Sequence, residues 1–359
     1  WTATKMKTLL RFRSISLSVA IVLMIPAATV AAESSVPLIG LAVRDITPEL
    51  PIRLAGYAGR KRGADQLDHP LLVQALAFKN PDGERFVLVA LDNCEVSRAF
   101  MQPVLARRAD RFQLGPGRVA VVSSHTHSAP ILEDTLVNMG QLSPEEHSRI
   151  AQYSQRLRDQ LVEVVGAALA DCQPATLEHG VGRATFAMNR RVYQGDQVVF
   201  GDNPDGPVDW DVPVLRVVGH AGNVSAGLFG YTCHGTAIRT GDDWYVVCGE
   251  YMAYARQHLE SHQPGAMAIF LTGMGADADP SPRGTLLEAK RHGLQLAGAV
   301  AGVLDRPLRP VRGPFRFAYD ELELPLVTPP SRERLEPDAR SGDVHVRFRA
   351  ETYLQRLNA

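Results

Sequence analysis

A chain of 359 residues with 45% hydrophobic and 21% charged residues has the composition of a globular protein with a substantial core, which excludes the disordered and fibrous classes. A formal net charge of −1, with no block of five or more like charges, argues against a nucleic-acid partner. Length alone leaves one large domain or two ordinary ones open.

From Met6 the chain runs from basic (Lys7, Arg11, Arg13) through apolar (19–25) to small residues (Val30, Ala31, Ala32), the order of a secretory signal segment. The apolar stretch is shorter than the ~20 residues a spanning helix needs, which disfavours the alternative of a membrane anchor. The expected organisation is therefore a signal peptide with upstream translated residues at 1–32 and a mature chain at 33–359, in a secreted or periplasmic protein. Removing 1–32 takes away four basic residues and no acidic one, leaving 34 against 39, a charge of −5. Four cysteines in this length make no disulfide framework. Cys233 and Cys248 are near enough in sequence to pair, and Cys94 and Cys172 read as buried thiols.

Residues 71–92 read as a hairpin, two apolar runs joined by Asn80-Pro81-Asp82-Gly83. Helices are expected at 97–112, at 143–170 behind the cap Ser143-Pro144-Glu145-Glu146, at 251–261 and at 286–304. Further hairpins are expected around Gly195 and Gly222. Hairpins mixed with helices imply an α/β class with mixed sheets flanked by helices.

Four apolar runs finish in polar residues: at Asp92-Asn93, at His125 and His127, at His234, and at Asp277 and Asp279. Sites gather where the strands of helix-covered sheets end, so a common edge would bring these residues together. In an extended strand His125 and His127 would project side by side, and with His234 they offer nitrogen donors suited to zinc. Either both ligate one ion, or one binds metal while the other serves as acid/base; surface histidines are the plain alternative. Gly235 would let backbone approach a ligand closely. In Gly273-Met274-Gly275-Ala276-Asp277-Ala278-Asp279 the glycine N–H groups are candidate oxyanion donors, and the carboxylates are candidates to hold water or a ligand histidine. Asp242-Asp243 and Asp209-Trp210-Asp211 read as solvated carboxylates, and Glu250 as a helix-terminus carboxylate.

In order along the chain, Gly56-Tyr57-Ala58, Asp68-His69-Pro70-Leu71, His125-Thr126-His127-Ser128, Asn189-Arg190, Cys233-His234-Gly235-Thr236 and Gly275-Ala276-Asp277-Ala278-Asp279-Pro280 resemble motifs of the neutral/alkaline (non-lysosomal) ceramidases. Arg191 and Val192 stand where that family has serine and proline, and Asp279 stands in place of its loop serine. The resemblance implies an α/β domain that hydrolyses an N-acyl amide such as a ceramide-like lipid through a zinc-activated water. It makes His125 and His234 the metal ligands and His127 and Arg190 substrate-polarising groups or groups supporting the ligands, and Asp279, at the position of the family serine, is a third candidate catalytic residue. It also implies glutamate and tyrosine ligands in sequence beyond Ala359, a domain cut short at its C-terminus, and peripheral contact with membrane lipid; no protein partner is inferred. Two other readings compete with it. One is a non-catalytic envelope protein binding lipid or glycan on the same fold; the other is a metal-dependent esterase or phosphoesterase, which Asp277 and Asp279 would suit.

Overall fold

The computed structural model describes residues 36–135 and 142–358; the expected signal segment lies outside them. The first part of the chain forms β1 (Leu38–Asp45), β2 (Gln66–Leu67), β3 (Leu72–Lys79), β4 (Arg85–Leu91), α1 (Arg98–Phe112), β5 (Val119–Ser123) and α2 (Pro144–Ala170). Five strands follow: β6 (Gln173–Arg183), β7 (Ala187–Gln194), β8 (Gln197–Asn203), β9 (Asp211–Gly219) and β10 (Val224–Tyr231). The last part holds β11 (Val246–Val247), α3 (Glu250–His262), β12 (Met267–Thr272), β13 (Ala278–Pro280), α4 (Leu286–Leu304), β14 (Arg309–Val311), α5 (Arg332–Asp338) and α6 (Val344–Asn358). All three expected hairpins form, as β3–β4, β7–β8 and β9–β10.

Three helices start where their capping residues dictate. Ser97 Oγ accepts from the Phe100 N–H at 3.0 Å, and both Ser143 with Glu146 and Thr285 with Glu288 make reciprocal capping boxes. Helix α3 differs: it has no side-chain cap, and its first residue, Glu250, has φ 55°.

The main sheet runs β12-β10-β9-β6-β1-β3-β4-β5, with β14 on β6. The β1–β6 junction pairs only Leu38 and Ile39 with Pro174 and Gln173, and beyond it the sheet turns back until β12 lies against β4 and β5. Side-chain alternation fits this arrangement. Val73, Ala75, Val87 and Val89 face α1 and α2; Val214, Phe229, Tyr231 and Phe270 face α3 and α4. The intervening residues, Leu76 and Ala90 from one half and Val217, Leu228 and Ile269 from the other, meet in a third core between the halves. The result is four layers, helices–sheet–sheet–helices, the α/β class with mixed sheets.

Among the four cysteines no disulfide forms. Cys233 and Cys248 are both buried in the α3–α4 core and both are free thiols, the Cys248 sulfur accepting from the Glu250 N–H, so the expected pair does not form. Cys94 is buried as expected; Cys172 is only half-buried.

Candidate functional site

The strand ends do converge. The His125 N–H donates to Asn93 O at 3.0 Å, the His127 N–H to Gly235 O at 3.0 Å, and the His234 N–H to Ala278 O at 2.9 Å, so the ends of β4, β5 and β10 and the start of β13 are stitched together through backbone. The His125/His127 pair is not made by strand periodicity, because β5 ends at Ser123 and His125 sits in the left-handed region at φ 61°. A non-glycine residue there is uncommon and held by its surroundings. Two glycines permit the crowding. A Cβ on Gly235 would stand 2.5 Å from the His125 carbonyl oxygen, and one on Gly56 (φ 86°) would stand 2.2 Å from His127 Cγ.

Three imidazoles meet here. His125 Nε2 lies 3.1 Å from His234 Nε2 and 3.4 Å from His127 Nε2. His125 Nδ1 is 2.8 Å from Cys94 O, and His234 Nδ1 is 2.7 Å from Gly275 O. A carbonyl can only accept, so both Nδ1 atoms carry the proton and both Nε2 atoms present lone pairs. Two lone pairs facing one another at 3.1 Å repel unless a cation lies between them. Two nitrogens bound tetrahedrally to one zinc at ~2.0–2.1 Å stand about 3.3 Å apart, close to the spacing seen. The oriented donor set therefore fits a metal ion, with each ligand ring fixed by a carbonyl behind it.

Cys94 Sγ, His125 and His127 also offer donors within 4.8 Å of one another. That trio is the poorer cage: the thiol approaches Nδ1 of His125 at 3.8 Å, a nitrogen already committed to a carbonyl, and burial pushes the thiol up to about 12.

The remaining wall is charged. β7 and β13 pair with Ala278 opposite Asn189, which sets Arg190 beside Asp279. Arg190 donates through Nε to Ala276 O (2.9 Å), through Nη1 to Asp279 Oδ1 (3.0 Å) and through Nη2 to His234 Nε2 (3.1 Å). Asp279 is buried, accepts from Thr236 Oγ1 at 2.9 Å, and is paired on Oδ2 with Arg283 Nη1 at 2.7 Å. Asp277 is exposed and pairs with Arg191 instead, so the two aspartates form no common metal-binding pair. The glycine N–H groups expected to meet an oxyanion are used by the fold, Gly273 donating to Tyr231 O and Gly275 to Gly273 O. The carboxylates do not hold the histidine either, since the Gly275 carbonyl does.

Burial, then the neighbouring histidines and arginines, pushes His127 well below its ordinary value, and its Nδ1 has no partner among the described residues. Burial lowers His234 to about 4 against the opposing pull of the Gly275 carbonyl. Behind His127 sits Arg60, which donates through Nη1 to both Ala55 O and His127 O and through Nε to Trp244 O, all at 2.7–2.8 Å. Its ring neighbours are Tyr57 and Trp244, and burial pulls it down to about 10. Nothing in the sequence marked Arg60 or Arg283 for the site, and Thr236 stood in a quoted motif with no role assigned to it. Glu250, read as an ordinary terminus carboxylate, is fully buried and accepts from Ala237 N–H (3.1 Å) and Ile238 N–H (3.0 Å), fixing the turn that follows His234. Asp242 stays exposed, as expected, whereas Asp243 is half-buried and accepts from the Leu286 N–H at the start of α4 (2.9 Å).

Fold and site together define a helix-covered α/β protein whose strand ends carry a histidine cluster fitted to a metal ion. Residues 38–279 match the family model Neutral/alkaline non-lysosomal ceramidase, N-terminal, and the chain belongs to that family. It is 31% identical over 96 residues to Neutral ceramidase of Oryza sativa subsp. japonica, a stretch that is 26% of this chain and 12% of that protein. The neutral ceramidase structure from Pseudomonas aeruginosa superposes with TM-score 0.63 at 20% identity, over 78% of this chain and 46% of that one. A structure of ceramidase complexed with C2 superposes with TM-score 0.62, also at 20% identity, over 78% and 45%. The chain thus spans less than half the length of these solved ceramidases.

Proposed function

We propose that this chain is the metal-binding part of an exported, zinc-dependent amide hydrolase acting on N-acyl amides of the ceramide type. The observation that carries this reading is the pair of Nε2 lone pairs of His125 and His234 facing each other at 3.1 Å, each ring locked by a carbonyl, with the Arg190 guanidinium alongside. Family membership and the named ceramidase relatives point the same way. A zinc ion held here would supply a Lewis acid able to polarise a carbonyl and to make water nucleophilic near neutral pH. His125 and His234 are the residues that would hold it, through Nε2. His127, kept uncharged by burial, accepts the proton of the attacking water at Nε2 and returns it to the leaving amine. Arg190, anchored by Asp279 and the Ala276 carbonyl, stabilises the negative charge that develops on the substrate's carbonyl oxygen. Export rests on the basic-apolar-small order of residues 6–32.

The test combines metal analysis with hydrolysis of a fluorogenic N-acyl substrate by the full-length gene product. Zinc near one equivalent together with turnover supports the reading. Turnover unaffected by a chelator, or substrate bound and never cleaved, would replace it with the lipid-binding alternative. Mass spectrometry of the exported protein that found Met6 retained would remove the export argument.

A further inference from the structure

Asp279 serves two cations. Its Oδ1 meets Arg190 and its Oδ2 meets Arg283, four residues further along at the turn before α4. A guanidinium stays charged at any ordinary pH, so two of them around one carboxylate leave one positive charge in excess. The neighbours do not offset it. Arg60 adds a further buried cation, and Glu250 is engaged behind the site with the Ala237 and Ile238 N–H groups. This excess sits in a molecule whose formal net charge is −1. A neutral amide gives no reason to carry a second, desolvated arginine there, because burying a cation costs free energy unless something compensates it.

Arg283 is also the arginine with donors to spare. Its side chain is 11% exposed, and the ion pair from Nη1 to Asp279 is its only polar contact among the described residues, whereas Arg190 is fixed at two points, Nε on Ala276 O and Nη1 on Asp279 Oδ1. Arg190 and Arg283 each lie 5.2 Å from the centroid of the Phe200 ring, itself 58% exposed on β8. An exposed ring beside two guanidinium groups joined by a carboxylate forms a cationic rim next to the histidine cluster.

We propose that Arg283 binds an anionic group carried by the substrate close to its scissile amide, so that this chain selects acidic N-acyl amides, such as acyl conjugates of amino acids or amino sulfonates, over neutral ones. The proposal rests on the amide-hydrolase reading for the identity of the scissile bond and narrows its substrate from a neutral, ceramide-type amide to an acidic one; the Arg283–Asp279–Arg190 geometry supplies the charge. Asp279 then has a defined role: it neutralises Arg190 enough to keep it in place and orients Arg283 for the ligand.

The experiment is calorimetric binding of three soluble probes of similar size to the full chain with zinc added: N-octanoylglycine, N-octanoyltaurine and N-octanoylethanolamine. Each probe is assayed in parallel for hydrolysis. The two acids should bind about tenfold or more tighter than the neutral probe, as expected for one charge-assisted contact. Arg283→Ala should erase that preference while changing the neutral probe less than about twofold, and Arg283→Lys should restore most of it. Equal binding of all three, no binding of the acids, or a preference that survives in Arg283→Ala overturns the proposal. The hydrolysis arm separates the two claims: probes bound with the predicted preference and never cleaved would sink the amidase reading and leave the Arg283 assignment standing. A preference for glycine over taurine, or the reverse, identifies which acid the rim accepts.

Discussion

The two walls of the site are built on different physical principles. On the His125–His127 side every fixing contact is a backbone carbonyl: Cys94 O on His125 Nδ1, and Ala55 O and His127 O on Arg60, with Gly56 leaving room for the His127 ring. On the Arg190–Asp279 side ion pairs shared by Arg190, Arg283 and one carboxylate do most of the fixing, helped by the Ala276 carbonyl on Arg190 and the Thr236 hydroxyl on Asp279. Backbone contacts set position and do not titrate; ion pairs set charge and tolerate adjustment. The first wall suits a group that must be in one place, a metal ligand or a proton carrier. The second suits a group that must supply potential. His234 belongs to both, with Nδ1 on the Gly275 carbonyl and Nε2 beside Arg190.

The contrast breaks most visibly at the ligands. His125→Ala and His234→Ala should each lower zinc content sharply and abolish hydrolysis, whereas His127→Ala should keep its zinc and lose about 10²–10⁴ in turnover, the usual contribution of a positioned acid/base. Metal analysis of the three purified variants decides it, and equal zinc in all of them would dissolve the division of labour.

Next in size is an effect on stability. Arg256 on α3 and Asp92 at the end of β4 form a fully buried two-point ion pair, extended to Gln74 Oε1 and the Leu72 N–H. Asp92 adjoins Asn93, whose carbonyl receives the His125 N–H, so this pair underpins the backbone-held wall from outside the site. Removing one partner strands a buried charge, and Arg256→Ala should cost about 3–5 kcal/mol in denaturant unfolding. A loss under about 1 kcal/mol would mean that the pair is solvated and that the wall does not depend on it.

Gly56→Ala tests the same wall locally. The new methyl would meet the His127 ring at 2.2 Å and the backbone would be strained at φ 86°. Displacing a catalytic group by about 1 Å costs on the order of 10²-fold in rate, so turnover should fall by that amount with zinc content unchanged. Unaltered turnover would show that His127 moves freely and that its position is not what the wall protects.

Legibility in the sequence follows the same divide. The hairpins, the capped helices and the converging strand ends were readable because each rests on local signals: Asn-Pro-Asp-Gly, Ser143 with Glu146, apolar runs ending in histidine. The three histidines were readable as a set because strand ends share an edge. The reason for the His125/His127 juxtaposition was not, since a left-handed residue at 125 is imposed by the Asn93 and Gly235 contacts, which are distant in sequence. Nor were the pairings of Asp279 with two arginines, Arg60 with the His127 carbonyl, or Glu250 with the Ala237–Ile238 turn. Buried charges choose partners across the fold, and composition carries no trace of the choice. The glycine loop misled for a related reason: its N–H groups had backbone acceptors that only the tertiary structure supplies.

The smallest expected effect concerns Glu250, which joins the two walls. Its carboxylate holds the Ala237 and Ile238 N–H groups just after His234, and the Ile238 carbonyl in turn accepts from the Tyr57 hydroxyl beside His127. Burial raises this carboxyl from 4.5 to about 7, against the opposing pull of those N–H groups and of Arg60. The folded state therefore holds a proton between about pH 4.5 and 7 that the unfolded chain has released. Stability from this group consequently declines as pH rises through that window and is level above it. His234, lowered by burial from 6.5 to about 4, and His127, lowered in the same direction, change stability in an overlapping pH range, but they do so in wild type and variant alike, so the difference between the two isolates Glu250. Glu250→Gln cannot titrate, and its single carbonyl oxygen leaves one of the two N–H groups poorly satisfied, a cost of about 1 kcal/mol that does not depend on pH. Relative to wild type, the variant should gain about 2 kcal/mol between pH 5 and pH 8 in urea unfolding. Parallel stability curves across that range would show that Glu250 is ionised throughout, and that the turn carrying His234 is held by a permanent charge and not by a carboxyl near its own titration point.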